Sequence, residues 1–160
     1  MSGLPLANVQ PRETDCELPP YSTVPFRDVM NAAFEHLVNW IRDETPPPIA
    51  PRLQVAQALP SVEFARDRFG NVLGGIRLAE HAVPTAKNTG MNSGTGNRFC
   101  FLYGSHEAFS EAQLRNLYSS REKYVQAVTR VVQKNLIDGY ILPYAAERTI
   151  DDARVRDIGR

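Results

Sequence analysis

The chain has 160 residues, of which 42% are hydrophobic and 22% are charged, and its 18 basic residues balance its 18 acidic ones. This length suits one modest globular domain, and the balanced charge provides no field that would attract nucleic acid. No apolar run approaches the roughly 18 residues that a membrane span needs, and residues 1–15 lack the basic and apolar regions of a secretory signal. We therefore predict no nucleic-acid partner, no membrane span and, by default, a cytoplasmic location.

The N-terminal segment, residues 1–22, contains four prolines and no apolar periodicity. This pattern is typical of an extended, poorly ordered segment. We expect the ordered part of the chain to be a single helical and hairpin segment over residues 23–160. The unstructured start also suggests that further sequence normally precedes Met1.

Residues 26–44 predict the first strong helix, with Pro25 in its first turn and Pro46 after its end. Its apolar side chains recur at spacings of three and four residues, which predicts one buried helix face. In an isolated segment this face, over residues 26–41, would be exposed and would favour self-association. An extended connector over residues 46–60 is expected to follow. The apolar positions are Phe26, Val29, Met30, Ala33, Leu37, Trp40 and Ile41.

Residues 62–78 predict a β-hairpin. Apolar and polar residues alternate on both arms, and the segment between Asp67 and Asn71 supplies a turn, because Asp bonds its own backbone and Gly70 tolerates positive φ. The Gly74-Gly75 pair suggests a bulge or another backbone pressed close. Since an isolated hairpin is marginal in water, we expect it to lie on the apolar faces of helices.

The C-terminal half is predicted to be mainly helical. Residues 84–97 are rich in Gly, Asn, Ser and Thr, which is typical of a mobile loop, and residues 99–103 (FCFLY) predict a strand or a buried loop. Capping boxes beginning at Ser110 and Ser119 predict two helix starts, Gly139 a helix end, and Pro143 the start of a last helix. About four helices and one hairpin make an α+β fold. The apolar stripe of the second of these helices is Tyr124, Val125, Val128, Val131, Val132 and Leu136.

No residue set completes an active site. The Gly-x-Ser-x-Gly turn of serine hydrolases is absent, and Ser105 and His106 are neighbours in sequence, which rarely aim at each other. Cys100 with His81 or His106, and with Glu80 or Glu107, would make a thiol site, but its apolar setting favours a packed cysteine. Cys16 and Cys100 match no zinc spacing. The sequence does not decide whether they form a disulfide, and we favour two free thiols.

The sequence does not predict a metal or cofactor site either. His36, His81 and His106 have no ligand spacing, and Gly90, Gly94 and Gly96 match neither the P-loop nor the dinucleotide fingerprint. The pair Asp151 and Asp152 lies in a charged, solvent-facing helix. We therefore predict no catalytic residue, no metal ligand and no cofactor, and the sequence does not specify a small-molecule ligand.

Four stretches in order resemble one family. They are AAFEHLVNWIRDETPPPIAPRL (32–53), ARDRFGNVLGGIRLAEHAVPTAKNTG (65–90), FCFLYGSHEAFS (99–110) and LRNLYSSREKYVQAV (114–128), followed by GYILPYAAER. The order of these motifs is similar to that in bacterial-type α/β-hydrolase-domain proteins. The motifs are a Trp-ended helix with a Pro-rich stop, an Asp-x-x-Gly-Asn turn with a Gly-Gly-x-Arg return, a Cys-containing run and a Leu-Tyr helix pair. The resemblance covers the chain from about Cys16 onward.

This resemblance implies an esterase- or lipase-like serine hydrolase with an α/β parent fold. It also implies that the serine turn, the oxyanion hole and the catalytic histidine precede the matching segment, so no catalytic residue carries over to this chain. The first hypothesis is therefore a C-terminal segment of such a hydrolase that is not catalytically competent alone.

Two other hypotheses stay open on the sequence. One is a small binding or interaction module that uses the face of residues 26–41 or the loop of residues 84–97. The other is a self-contained hydrolase that uses Cys100.

Overall fold

The structure, a computed structural model, describes residues 16–18, 20–94 and 99–158. It has the predicted α+β composition, with two small antiparallel two-stranded sheets within the described residues. The helices are α1 (Phe26–Asp43), α2 (Ala79–Ala82), α3 (Glu111–Leu117), α4 (Arg121–Ile137) and α5 (Pro143–Val155). The strands are β1 (Val55–Gln57), β2 (Glu63–Phe64), β3 (Ala86–Thr89) and β4 (Ser105–Ala108), and a 3₁₀ turn spans Cys100–Leu102. No helix of this described part is long and apolar enough to cross a membrane.

The hydrophobic core lies where α4 and α5 pack together and against α2. The predicted α4 stripe is confirmed at its centre, where Val128 and Val132 are each 2% exposed, while Leu136 at its end is 36% exposed. Small side chains on α5 allow the two helices to approach closely. The core consists of Leu78, Ala79, Val83, Tyr124, Val128, Val132, Ile141, Ala145, Ala146, Ala153 and Ile158.

The helix ends follow the capping chemistry of the sequence. Ser110 and Gln113 form the predicted capping box of α3. At α4 the cap is Ser120, whose side chain accepts from the Lys123 amide, so the predicted box at Ser119 was wrong by one residue. Gly139 ends α4 at φ +77°, as predicted, and α5 begins at Pro143.

The apolar stripe of α1 is exposed, as expected for this segment in isolation. The side chains that α1 buries are Asp28 and Ala32, while Phe26, Leu37, Trp40 and Ile41 of the stripe are exposed. Polar contacts set this orientation. Arg148 on α5 forms an ion pair with Asp28, Asn31 donates to the Tyr144 hydroxyl, and His36 Nε2 lies 2.7 Å from the Gly139 carbonyl oxygen. The exposure expected for an isolated segment is confirmed at Trp40 and Phe34.

The predicted turn is present, and the hairpin around it is minimal. Asp67 Oδ1 accepts from the Phe69 and Asn71 amides, and Arg66 pairs with Val72 across the turn. The connector adds β1 beside β2, and Gly74 pairs with Leu53, which confirms the backbone pressed against the glycine pair.

The expected apolar support for this hairpin is present at the end of the return arm, where Leu78 belongs to the core and Ile76 packs against it, and it is missing on the first arm. Val62 is 61% exposed and Phe64 40% exposed. Instead, the turn is attached by hydrogen bonds: the Asn71 side chain, which is fully buried, accepts from the Asn88 amide of β3 at 2.9 Å. A buried amide with backbone partners fixes the hairpin where apolar burial does not.

The region after the hairpin is more regular than predicted. The expected mobile loop of residues 84–97 contains β3, which pairs with β4, while residues 95–97 lie outside the described residues. The run FCFLY is not a strand, and within it Cys100 is buried whereas the large apolar side chains are exposed. It forms the 3₁₀ turn, and Phe99, Phe101 and Leu102 are each about 60% exposed.

The expectation of a poorly ordered segment over residues 1–22 falls largely on residues 1–15 and 19, outside the described residues. The remainder is bonded to the β3–β4 region. The Ser22 amide donates to the Tyr103 carbonyl oxygen, and the His106 amide donates to the Pro20 carbonyl oxygen.

Candidate functional site

The region around β3 and β4 brings together polar side chains of the types that take part in catalysis. His106 on β4 faces Asn88 on β3 as a cross-strand pair, and its Nδ1 lies 2.9 Å from Asn88 Oδ1. The same nitrogen lies 3.1 Å from the Thr23 hydroxyl. The imidazole thus contacts both a hydroxyl and an amide, which superficially resembles a base between a nucleophile and an orienting group.

The geometry of His106 does not suit general-base catalysis on Thr23. In a catalytic triad the nucleophile contacts one ring nitrogen, and the orienting group bonds the other. Here both partners approach Nδ1. A single nitrogen cannot donate to Asn88 and accept the proton of Thr23 at once, so this arrangement fixes the ring without activating the hydroxyl.

Ser105 does not join His106, as its place in the sequence suggested. Its hydroxyl lies 2.9 Å from the Thr89 hydroxyl, its cross-strand partner. Successive side chains of a strand point to opposite faces, which explains why neighbouring residues do not meet. No hydrogen bond between a serine hydroxyl and an imidazole occurs among the residues that the structure describes.

His81 lies at the end of α2, beside a cavity of about 410 Å³ that Asn88, Thr89 and Tyr103 also line. Burial lowers the pKa of His81, and the positive charge of Arg77 lowers that pKa further against the opposing charge of Asp67. Burial likewise lowers the pKa of His106, with a further contribution from Arg156. Both rings are therefore neutral near pH 7, and they can accept or donate hydrogen bonds in this region.

The cysteines are not free thiols, contrary to the preference drawn from the sequence. Cys16 and Cys100 form a disulfide across 84 positions of sequence, with both residues buried. Sulfur in a disulfide cannot act as a thiolate nucleophile. The hypothesis of a self-contained hydrolase that uses Cys100 is therefore wrong for the oxidised protein.

The three histidines are not neighbours around a metal. His36 contacts the Gly139 carbonyl oxygen, whereas His106 is tied to β3. Within residues 16–18, 20–94 and 99–158, no group of three or more His, Cys, Asp or Glu side chains has metal-binding geometry.

Arg77 is the residue that sequence reasoning missed. Its guanidinium forms an ion pair with Asp67 at 2.7 Å and donates to the carbonyl oxygens of Val72 and His81. It thereby joins the turn, the return arm and α2. The Gly-Gly-x-Arg motif was a signal for this role, since a guanidinium two residues after a glycine pair reaches back to the turn.

Comparison with known proteins points to one family. A family model described as alpha/beta hydrolase domain matches residues 3–151. No curated protein and no solved structure gives a match. Because the family model spans nearly the whole chain, this protein belongs to the alpha/beta hydrolase domain family.

Proposed function

We propose that this chain is the C-terminal segment of an esterase- or lipase-type hydrolase and does not form an acyl-enzyme by itself. Two observations support the second part. The 160-residue sequence has no Gly-x-Ser-x-Gly turn, and the imidazole with a hydroxyl partner, His106, meets that hydroxyl and Asn88 through a single nitrogen.

The exposed apolar face of α1 carries the proposal. Phe26 is 68% exposed, Phe34 60% and Ile41 77%, which is unusual for side chains repeated along one helix. The opposite side of α1 is bonded to α5 through Asp28 and Asn31, so α1 cannot turn its apolar side chains inward without breaking those bonds. The apolar face is therefore available to a further surface.

The occupant of this face that we propose is the sheet-bearing part of the hydrolase domain. A helix in an α/β domain covers one face of the sheet, and within the described residues the two sheets have two strands each. A small sheet of this kind cannot cover a helix of 18 residues. The family membership supplies the reason to expect a larger sheet.

The catalytic part of the proposal is tested with a fluorophosphonate probe, which labels activated serines. The chain alone is expected to remain unlabelled at pH 8, with a known serine esterase as the positive control. Labelling of any serine, located by peptide mass mapping, would overturn it.

The segment part is tested by immunoblotting extracts of the source cells with an antibody against this chain. We expect a band well above 17.9 kDa, the mass of these 160 residues. A single band at that mass would contradict the proposal and favour the second candidate, a non-enzymatic interaction module.

The exposed α1 face also favours that second candidate, in the form of self-association. Sedimentation velocity separates the two. Self-association predicts a dimer that Trp40→Ser with Ile41→Ser converts to monomer, while Ile137→Ser, an equally apolar and 84% exposed position on α4, leaves the dimer intact. A monomer at all concentrations would count against self-association and leaves the α1 face to the hydrolase domain.

The cytoplasmic location expected from the sequence stays a prediction, and the disulfide bears on it. Disulfides persist mainly in oxidising compartments and are rare in the cytosol. We infer from Cys16–Cys100 that the protein works in an oxidising compartment. Acid trapping of cells, followed by alkylation and mass analysis, should find these cysteines protected; free thiols would favour the cytoplasm.

A further inference from the structure

A second cavity, of about 200 Å³, is lined by residues of α2, α4 and α5. Part of its lining belongs to the hydrophobic core, and we call this part the floor; the rest of the lining is mainly polar or charged. Benzene fits an apolar cavity of about 150 Å³, so this space accommodates a body of roughly that size. The floor residues, each at most 8% exposed, are Ala79, Val83, Tyr124, Val128 and Ala153.

Three arginines, Arg27, Arg148 and Arg156, belong to the charged part of the lining, which we call the opening, together with the acidic Glu80 and Asp152. Arg148 is committed to the buried Asp28, and Arg27 lies 3.9 Å from the same carboxylate. Arg156 Nη1 donates to the Thr85 hydroxyl at 3.2 Å. Among the described residues, Arg156 has no carboxylate within ion-pair distance.

One wall of the cavity is Glu80, at the start of α2. Its Oε2 is buried and has no hydrogen-bond partner among the described residues. The charged or titratable side chains that act on it come from α1, α4, α5 and the segment after α5: Asp28, Tyr124, Arg148 and Arg156. Burial raises the pKa of Glu80, and the charge of Asp28 adds to the rise against the two arginines.

We propose that this cavity binds a small monocarboxylic acid, whose apolar body lies on the floor and whose carboxylate bonds Arg156 at the opening. A guanidinium is the side chain best suited to a carboxylate, because its two parallel N–H groups match the two oxygens. The apolar floor selects a hydrocarbon or aromatic body over a polar one. This site is separate from the α1 face, and the inference does not depend on the proposed function.

Glu80 makes the binding sensitive to pH. An ionised Glu80 repels a ligand carboxylate, whereas a protonated Glu80 does not and can donate a hydrogen bond to it. Binding is therefore expected to strengthen as the pH falls, while the ligand stays ionised. Protonation of His106, on which Arg156 also acts, would work in the same direction, so a variant of Glu80 is needed to separate the two.

The test is isothermal titration calorimetry of the whole chain with benzoate at about pH 6.5. We expect saturable one-site binding with a Kd of about 1 mM or tighter. Benzamide, which has the same shape without the charge, should bind at least tenfold more weakly. Arg156→Gln should weaken benzoate binding about tenfold, whereas Arg154→Gln, an exposed arginine of α5 that pairs with Asp151, should leave it unchanged.

The role of Glu80 is tested by Glu80→Gln. This variant should bind benzoate more tightly than the parent at about pH 7.5 and should lose most of the gain on acidification. Far-UV circular dichroism checks that each variant is folded; Arg27→Gln, at a 75% exposed side chain, provides a second change at the opening if Arg156→Gln is not. The proposal is overturned if benzoate gives no saturation, if benzamide binds equally well, or if Arg154→Gln weakens binding as much as Arg156→Gln.

Discussion

At the scale of single residues, Gly74 shows how closely backbone chemistry limits this chain. It adopts φ +76°, and a Cβ built on it would overlap the Arg52 carbonyl oxygen and approach the Gln54 amide nitrogen. Both neighbours are backbone atoms, which cannot move aside as a flexible side chain does. The glycine pair was predicted to mark a close backbone, and Gly74 does so.

We therefore expect Gly74→Ala to destabilise the protein by about 2 kcal/mol or more, since the left-handed conformation alone costs an L-residue roughly 1–2 kcal/mol and the overlap adds to it. Urea unfolding followed by circular dichroism measures the change. Gly90→Ala is the matched control, because a Cβ there meets nothing within 4 Å. Equal effects at the two positions would contradict the structural explanation.

The two histidines near β3 and β4 make stability depend on pH. Because the pKa of His81 and that of His106 are lower in the folded protein than the ordinary value of 6.5, the unfolded chain binds more protons just below that value. The free energy of unfolding should then decrease as the pH falls from about 7.5 to about 5.5. The raised pKa of Glu80 acts in the opposite direction, because the folded state takes up its proton first.

Two variants measure these opposing contributions in urea unfolding at several pH values. His81→Gln with His106→Gln should flatten the decrease in unfolding free energy on acidification. Glu80→Gln should remove the compensating proton uptake of the folded state, so that stability falls further on acidification toward the ordinary carboxyl pKa of 4.5. If the double histidine variant shows the same dependence of unfolding free energy on pH as the parent, the pKa values of the two histidines are not lowered in the folded protein.

At the scale of elements, the sequence was informative where local chemistry decides the structure. The α3 capping box, the Asp67 turn, Gly139 and Pro143 depend on neighbours within four residues, and all four are where the sequence placed them. The strands β3 and β4 were missed because each has four residues and is stabilised by its partner. Contacts such as Thr23 with His106 join distant parts of the chain and leave no local signal.

Helix α1 is the element for which periodicity identified the apolar face and not what the opposite face contacts. The apolar period was read correctly, but which face is buried depends on what the rest of the chain offers. Here Arg148 forms an ion pair with Asp28, whose side chain is only 2% exposed. This pair holds the polar face of α1 against α5 and leaves the apolar face exposed.

The ion pair between Arg148 and Asp28 yields a prediction for the attachment of α1. Arg148→Ala leaves the buried Asp28 carboxylate with only the 3.9 Å ion pair to the exposed Arg27, so we expect a loss of about 3 kcal/mol, the lower end for a broken buried pair. Arg154→Ala, on the same helix, breaks an exposed pair with Asp151 and should cost no more than about 1 kcal/mol. Urea unfolding compares the two variants, and similar losses would mean that the buried pair does not anchor α1.

At the scale of the whole molecule, the family could be inferred because it depends on an ordered set of motifs along the chain. The disulfide could not, because two cysteines 84 positions apart carry no spacing rule, and the apolar run around Cys100 suggested a packed thiol. The burial of Cys100 was predicted correctly, but its disulfide bond was not. Its partner lies in a segment whose prolines predicted little structure.

The disulfide is expected to make a large contribution to the stability of the whole chain. Cross-linking residues 84 positions apart removes loop entropy from the unfolded state worth about 4–5 kcal/mol in the chain-entropy model. A reductant should therefore lower the urea midpoint of the parent strongly. The double variant Cys16→Ser with Cys100→Ser should start near that lowered midpoint and should not respond to the reductant. If the parent keeps its midpoint after complete reduction, verified by alkylation and mass, then the contacts of residues 20–22 with Tyr103 and His106 suffice to close the loop without the covalent bond.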